Sequence, residues 1–566
     1  MSRAWCFVAA LSIMIGAPLA AQPSPAQPSP EQVDRFFDEV YFKFNPTAGT
    51  ASGFHQYDAQ LEDYSKAALD ANIKALHRAE REFGALPADP DRDLILNYIC
   101  ATLLDMEKVR TWQRNPDVYS SGVTGSIFVI MSRNFAPAPD RLKSVIARER
   151  QIPAVFEAAR ANLKNPPHIY TDIAIEQLPG IVSFFENDVP AAFKEVTDQK
   201  LRAEFEQSNG MAIDALKRYQ TFLQKELLAR SGGDFRLGGE LFRKKLLYEE
   251  MVDLPLDRLL EIGMADLRRN QEAFKQTAAK IDPSKTPQQI LDETTRDHPA
   301  PDHLLQSFRD VLSGLKDYIT ANKIIAIPSP VLPIVEETPP FMRALTTASM
   351  DTPGPYEKVA KEAFFNVTLP EASWTPKQIE EHMEGFNRGT IISTAVHEAY
   401  PGHYVQFLWM QTIPSKVRKL LGANSNAEGW AHYCEQMMLD EGYGNGDLKL
   451  RLGQLQDALL RDARYIVGIQ MHTGVMTYNQ GIDFFVNEGY QSRTNGERET
   501  KRGTSNPTYL YYTLGKLEIM KLREDYKKMR GSAFTLEEFH DRFMREGTPP
   551  IKIVRKALLG NDSPVL

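Results

Sequence analysis

Pro401 and Gly402 stand between two histidines in the stretch His397-Glu398-Ala399-Tyr400-Pro401-Gly402-His403. No unbroken helix passes through that pair. Pro401 has no amide hydrogen, and its ring clashes with the carbonyl four residues back, at His397. Gly402 takes backbone angles closed to other residues. The break decides where the imidazoles go. On a continuous helix, histidines four apart share a face at an offset of about 40°, whereas six apart they are offset by about 240°. A turn at Pro401-Gly402 lets His403 swing back toward His397. Upstream, Met383 to Val396 (MEGFNRGTIISTAV) reads as a largely buried helix running into the motif.

Two converging imidazoles with a carboxylate beside the first are the parts of a metal centre. The pattern is similar to the zinc-peptidase signature His-Glu-x-x-His, in which the histidines hold the ion and the Glu is the general base, but its spacing is longer by two. A catalytic zinc ordinarily has three protein ligands and a water. The candidate third ligand is Glu428, which follows His403 by 25 residues, enough for a turn and a returning helix. On that helix His432 and Glu435 lie at i+4 and i+7 and share the face of Glu428. Glu435 suits the task of bonding the far nitrogen of a ligand histidine and fixing its tautomer.

From Val33 to about Lys280 apolar residues recur at three and four, clearest over Ala67–Phe83, Arg92–Trp112, Pro139–Leu163, Ala191–Glu206 and Met211–Arg230. Asn165-Pro166-Pro167 and Ser231-Gly232-Gly233 mark stops. Glu249, Asp253 and Asp257 read as solvated faces and helix caps. After a Pro- and Thr-rich connection at 281–302 and a helix at about 303–321, the texture changes. Lys323–Val335 (KIIAIPSPVLPIV) and Ala363–Leu369 (AFFNVTL) are short β-branched and aromatic runs punctuated by Pro, which confines them to edge or short strands. An edge strand beside a cleft pairs with an extended peptide backbone. Beyond Pro376 the chain is again mostly helical. The expected fold is mainly α, with a small β element flanking the active-site cleft. The expected division is a helical N-terminal lobe over 32–325 and a catalytic lobe over 326–566.

HEAYPGHYVQF, AEGWAHYCEQM, YLYYTLGKLEIMKLR and FHDRF together resemble the family named domain of unknown function 885, grouped with the zincin-like metallopeptidases. The resemblance extends to RERQIPAVFEAARANL in the first half. It implies a helical zincin-like architecture, one zinc ion held by His397, His403 and Glu428, and Glu398 as catalytic base. His432 stands where that family is expected to carry an apolar residue, and it is not counted as a ligand. For oxyanion donors, Arg464, Gly468 and His472 recur every four residues, and the resemblance singles out Tyr512, before Thr-Leu-Gly. His472 and Tyr512 are the expected donors, with Tyr511 in reserve. Arg464 and Arg502 are candidates for holding a substrate carboxylate.

The reading that follows is an exported zinc-dependent peptidase acting on short peptides. Two alternatives use the same residues: a metal-dependent hydrolase of another amide or ester, and a non-catalytic periplasmic binding protein that keeps metal for structure. Structural zinc sites ordinarily fill all four positions with protein ligands, so a spare Glu398 favours an open, catalytic site. The net charge of −8, with no run of Lys or Arg, points away from nucleic acid and from a polybasic membrane anchor. Arg3, the apolar run Ala4–Leu19 and the small pair Ala20-Ala21 read as a cleaved export signal over 1–21, the alternative being a membrane span. Residues 22–31 (QPSPAQPSPE) read as a disordered leader. After signal removal no membrane association is expected, and the protein is periplasmic or secreted. Cys6 is lost with the signal; Cys100 and Cys434 either pair or stay as free thiols.

Overall fold

Helix starts in the first half are set by side chains that accept orphan backbone amides. Ser65 caps the helix Lys66–Gly84, Asp89 caps Pro90–Leu104, and Asp198 caps Gln199–Phe222. The computed structural model describes residues 27–339, 343 and 346–566. The export signal lies outside the described residues. The leader is described only from residue 27, and its last two residues, Pro30 and Glu31, already open a helix capped by Ser29. The run expected over Pro139–Leu163 is two helices, Ala138–Glu149 and Ile152–Asn162, broken at Arg150-Gln151. The runs Ala191–Glu206 and Met211–Arg230 share one helix, Gln199–Phe222, which Asp198 starts.

Two apolar cores lie wholly or mainly in this half, one around Tyr119, Val145 and Phe185, the other around Phe37, Leu76 and Ile95. Later helices build further cores. Helix α1 (Leu256–Ile281) packs along the length of helix α6 (Leu448–His472), which lies far downstream in the chain. Helix α2 (Leu304–Ala321) presents Leu304, Phe308, Leu312, Leu315 and Ile319 to a core shared with the β-sheet and with the helix that ends at His397-Glu398.

That sheet has three strands among the described residues: β1 (Ile334–Glu337), β2 (Ala348–Asp351) and β3 (Phe364–Val367), in the order β1-β3-β2. β1 runs parallel to β3 and β2 antiparallel, with Val335 and Met350 both opposite Phe365. The run Ala363–Leu369, expected as an edge or short strand, therefore holds the centre. Phe365 and Val367 are fully buried, and Phe365 lies 5.0 Å from the Phe308 ring of α2. Of Lys323–Val335 only the last two residues are in a strand. β2, with the sequence Ala-Ser-Met-Asp, carries little strand signature, and it is the edge that faces the motif. The protein is thus mainly helical with a small sheet, as expected. Cys100 and Cys434 are free.

One buried carboxylate makes stability depend on pH. Glu149 accepts a hydrogen bond from Ser208 Oγ at 2.5 Å through one oxygen, and its other oxygen has no partner. Burial pushes its carboxyl up to about 8. The folded state keeps a proton that the unfolded chain releases above the ordinary Glu range, so this group's contribution is lost as pH rises from about 4.5 toward 8. Glu149→Gln is expected to match the parent at pH 4.5 and to exceed it at pH 8 by on the order of 2–4 kcal/mol. Urea denaturation at the two pH values measures it.

Candidate metal centre

The expected helix Met383–Val396 is interrupted. One helix spans Pro376–Glu384, and the next, α3 (Arg388–Glu398), starts afresh because Asn387 caps it through the Thr390 amide. α3 is buried along Ile391, Ile392, Ala395, Val396 and His397, and it ends at Glu398. The amides of Ala399 and Tyr400 both donate to the Ala395 carbonyl at 3.0 Å, and Gly402 donates to the Val396 carbonyl at 3.0 Å. The Tyr400–Pro401 peptide is cis, and helix α4 (His403–Met410) begins directly after Gly402. What demands glycine at 402 is space. A Cβ there would stand 1.8 Å from the His397 carbonyl oxygen and 2.4 Å from that of Val396.

The broken turn brings the two rings together, their centroids 4.9 Å apart and their planes at 86°. Helix α5 (Asn424–Asp440) returns past them and delivers Glu428. Oε2 of Glu428 lies 3.4 Å from Nε2 of His397 and 3.4 Å from Nε2 of His403. One ligand atom from each of the three lies within 4.8 Å of the others. That carboxylate oxygen is buried and has no hydrogen-bond partner, which is costly unless a cation completes it. Two imidazoles and one carboxylate are the donor set of a borderline-soft divalent ion such as zinc. The residues fit the group.

The rest of the Glu-Gly-Trp triplet has structural work. Gly429 of α5 crosses Gly515 of helix α8 (Tyr511–Arg530) so closely that a Cβ on Gly429 would come within 2.5 Å of Gly515 Cα. Trp430 Nε1 donates to the Pro401 carbonyl at 2.8 Å, tying α5 to the broken turn. Behind Trp430, His540 donates to the Ile324 carbonyl at 2.7 Å, bonds the Tyr433 hydroxyl at 2.9 Å, and packs edge-on to the indole. The FHDRF segment is thus a buttress for α5.

Glu435 stands where expected. It is fully buried and accepts from His397 Nδ1 at 2.6 Å, which leaves Nε2 facing Glu428. Its other oxygen accepts from His432 Nδ1 at 3.1 Å, and Arg461 pairs with the first oxygen at 2.8 Å. Burial opposes its charge, but the Arg461 guanidinium and the imidazoles outweigh that and hold the carboxyl well below its usual range. His397 feels the reverse: burial lowers its basicity, but contacts with Glu428 and Glu435 raise it to about 10. His432 is pushed down to about 3 by burial. It is a neutral member of the network.

Of the remaining expected residues, Glu398 is half-buried and its Oε2 accepts from the Met350 amide of β2 at 3.2 Å. Tyr512 stacks on His397, centroids 6.3 Å apart, and burial first, then the charge of Glu428, raises its hydroxyl to about 12. Tyr511 accepts from Asn506 at 3.1 Å. His472 is not brought to the trio. Two turns beyond Arg464, about 12 Å along α6, it bonds the Gly503 carbonyl at 2.8 Å and packs against Phe235 and Phe242. Arg464 is engaged twice, in a bidentate pair with Glu499 at 2.7 and 3.0 Å and over the Tyr512 ring at 5.0 Å. Arg461 and Glu499 were not anticipated. Their only signal was position, Arg461 three residues before Arg464 on α6.

Residues 46–558 match the family of bacterial proteins of unknown function DUF885. The chain belongs to that family. Two solved structures share its fold. A presumed lipoprotein of unknown function from Shewanella oneidensis is 28% identical, with a TM-score of 0.79, over 93% of this chain and 98% of that one. A presumed lipoprotein from Colwellia psychrerythraea is 18% identical, with a TM-score of 0.76, over 92% and 96%. No curated protein matches.

Two variants probe the centre without touching a ligand. Gly402→Ala is expected to lose stoichiometric metal, and Glu435→Gln to weaken metal affinity by about 10- to 100-fold. Competition with a chelating dye measures both, and circular dichroism reports whether the helices persist.

Proposed function

We propose that this protein is a metal-dependent hydrolase that cuts peptide bonds, with His397, His403 and Glu428 as ligands and Glu398 as general base. The observation that carries the reading is the orphaned, buried Glu428 oxygen facing two imidazole nitrogens, with Glu398, next in sequence to His397, outside the ligand set. When bound, a zinc-type ion supplies Lewis-acid polarisation and makes water acidic enough to deprotonate near neutral pH.

The chain's own residues do the rest. Glu398, oriented by the Met350 amide, takes the proton from water and passes it to the departing amine. Tyr512 keeps its proton across the neutral range and offers a hydroxyl donor to the developing oxyanion, a contribution typically worth about 2.7–4 kcal/mol. Glu435 and Arg461 hold His397 in the tautomer that leaves Nε2 free. His472, committed to Gly503, takes no part in this scheme. Among the described residues no helix is long and apolar enough to cross a membrane. With two structural relatives described as presumed lipoproteins, that supports an exported, periplasmic-type protein.

Glu398→Gln is expected to retain metal while kcat/KM on a peptide library falls by about 10²- to 10⁴-fold. Chelation is expected to abolish cleavage and zinc to restore it. Cleavage that survives chelation, or a fully active Gln variant, refutes the reading.

A further inference from the structure

A cavity of about 900 Å³, a volume that suits a short peptide segment, connects to the metal centre through Tyr512: its lining residues Arg464 and Arg502 touch that side chain, whose ring stacks on His397. One wall comes from α6 and from helix α7 (Arg493–Ser505), with Arg464, Arg498, Glu499 and Arg502; the opposite wall includes Thr347 and Thr368. The charges on the first wall are not equivalent. Glu499 is taken up by Arg464 in the bidentate pair, so those two neutralise each other. Arg498 and Arg502 lie four apart on one face of α7. Among the described residues neither has a carboxylate partner: Arg498 donates to Asn495 Oδ1 at 2.7 Å, and Arg502 lies against the Tyr512 hydroxyl. Glu371 is the remaining acidic residue in the lining, and it is exposed, as Arg498 and Arg502 are. Beyond the Arg464–Glu499 pair, two guanidinium groups therefore stand against one carboxylate, and the cavity keeps a positive balance on the side chains best shaped for a carboxylate.

Its position relative to the chemistry can be read along β2. Thr347, at the cavity, immediately precedes that strand, and Met350 donates to Glu398 on the strand's outer edge. The interval is three residues, about 10 Å of extended chain. β3 occupies the inner edge of β2, so the outer edge is where an added strand pairs. A peptide lying antiparallel there runs from Glu398 toward Thr347 and points its C-terminus at the arginines. A parallel peptide would point its ammonium group at them. The charge of the cavity selects the antiparallel direction.

We infer that the cavity is a carboxylate subsite, and that the substrate is a peptide whose carboxylate lies two or three residues beyond the bond that is cut. The inference rests on the peptidase reading and adds its substrate class. Hydrolysis breaks the amide C–N bond, places the water oxygen on the acyl carbon, and sends the protons to the departing amine, releasing a di- or tripeptide. A terminal carboxylate and an acidic side chain offer the same chemistry, and the test separates them.

The zinc-loaded enzyme is given three forms of one hexapeptide: free acid, C-terminal amide, and amide with Glu as last residue. The expected result is cleavage two or three residues from the C-terminus by mass spectrometry, with the free acid favoured over the plain amide by about 10- to 100-fold in kcat/KM. Arg498→Gln and Arg502→Gln should each shrink that ratio, chiefly through KM for the free acid, with metal content unchanged. Restored cleavage of the Glu-amide peptide assigns the subsite to a side-chain carboxylate; no restoration assigns it to the chain terminus. Equal cleavage of acid and plain amide, or cuts without regard to the C-terminus, overturns the subsite while leaving the peptidase intact. No cleavage of any form overturns the peptidase reading itself.

Discussion

The centre depends on one buried anion. Glu435 has no solvent to stabilise it, and a carboxylate in that position persists only with donors on every side. Arg461 supplies the charge, and His397 and His432 supply the hydrogen bonds. Each partner comes from a different place: His397 from the end of α3, His432 from α5 itself, Arg461 from α6. The anion therefore fixes the relative positions of three helices and, through Nδ1 of His397, the ring that faces Glu428. Removing one partner from such a set costs more than the set contributes, because the charge left behind is uncompensated.

The sheet gives the site its second constraint. β2 is short, and its inner edge is held by β3, whose side chains are buried against α2. Among the described residues the Met350 amide of β2 bonds Glu398, while the Ala348 carbonyl accepts from Thr346 Oγ1. Glu398, the proposed general base, is thus held by a main-chain amide, so its orientation follows the sheet.

The chemistry-bearing residues were the most legible part of the sequence. Pro401-Gly402 inside the histidine pair demanded a broken helix, and the break is there. Glu428 and Glu435 followed from helical spacing after a returning turn. Three things were hidden. Asn387 starts a new helix inside a run that looked continuous, because a cap is a single side chain against an apolar pattern. β2 has no β-branched residue, so its strand state comes from pairing with β3 alone. His472 shares a helix face with Arg464, but a shared face does not make a shared site: eight residues put about 12 Å between them along the axis. Gly468, between them, is filled by Tyr509 and does not open a space for substrate.

The crossing of Gly429 and Gly515 acts as a gauge block. Glu428 lies one residue before the first glycine, and Tyr512 lies three before the second. With no side chain on either helix at the crossing, backbone touches backbone, and nothing stands between the two helices there. Any thickening at that point would act as a wedge and move Glu428 and Tyr512 apart. The reach of the hydroxyl toward Glu428 therefore depends on a pair of missing methyl groups, on residues that the proposed chemistry does not use.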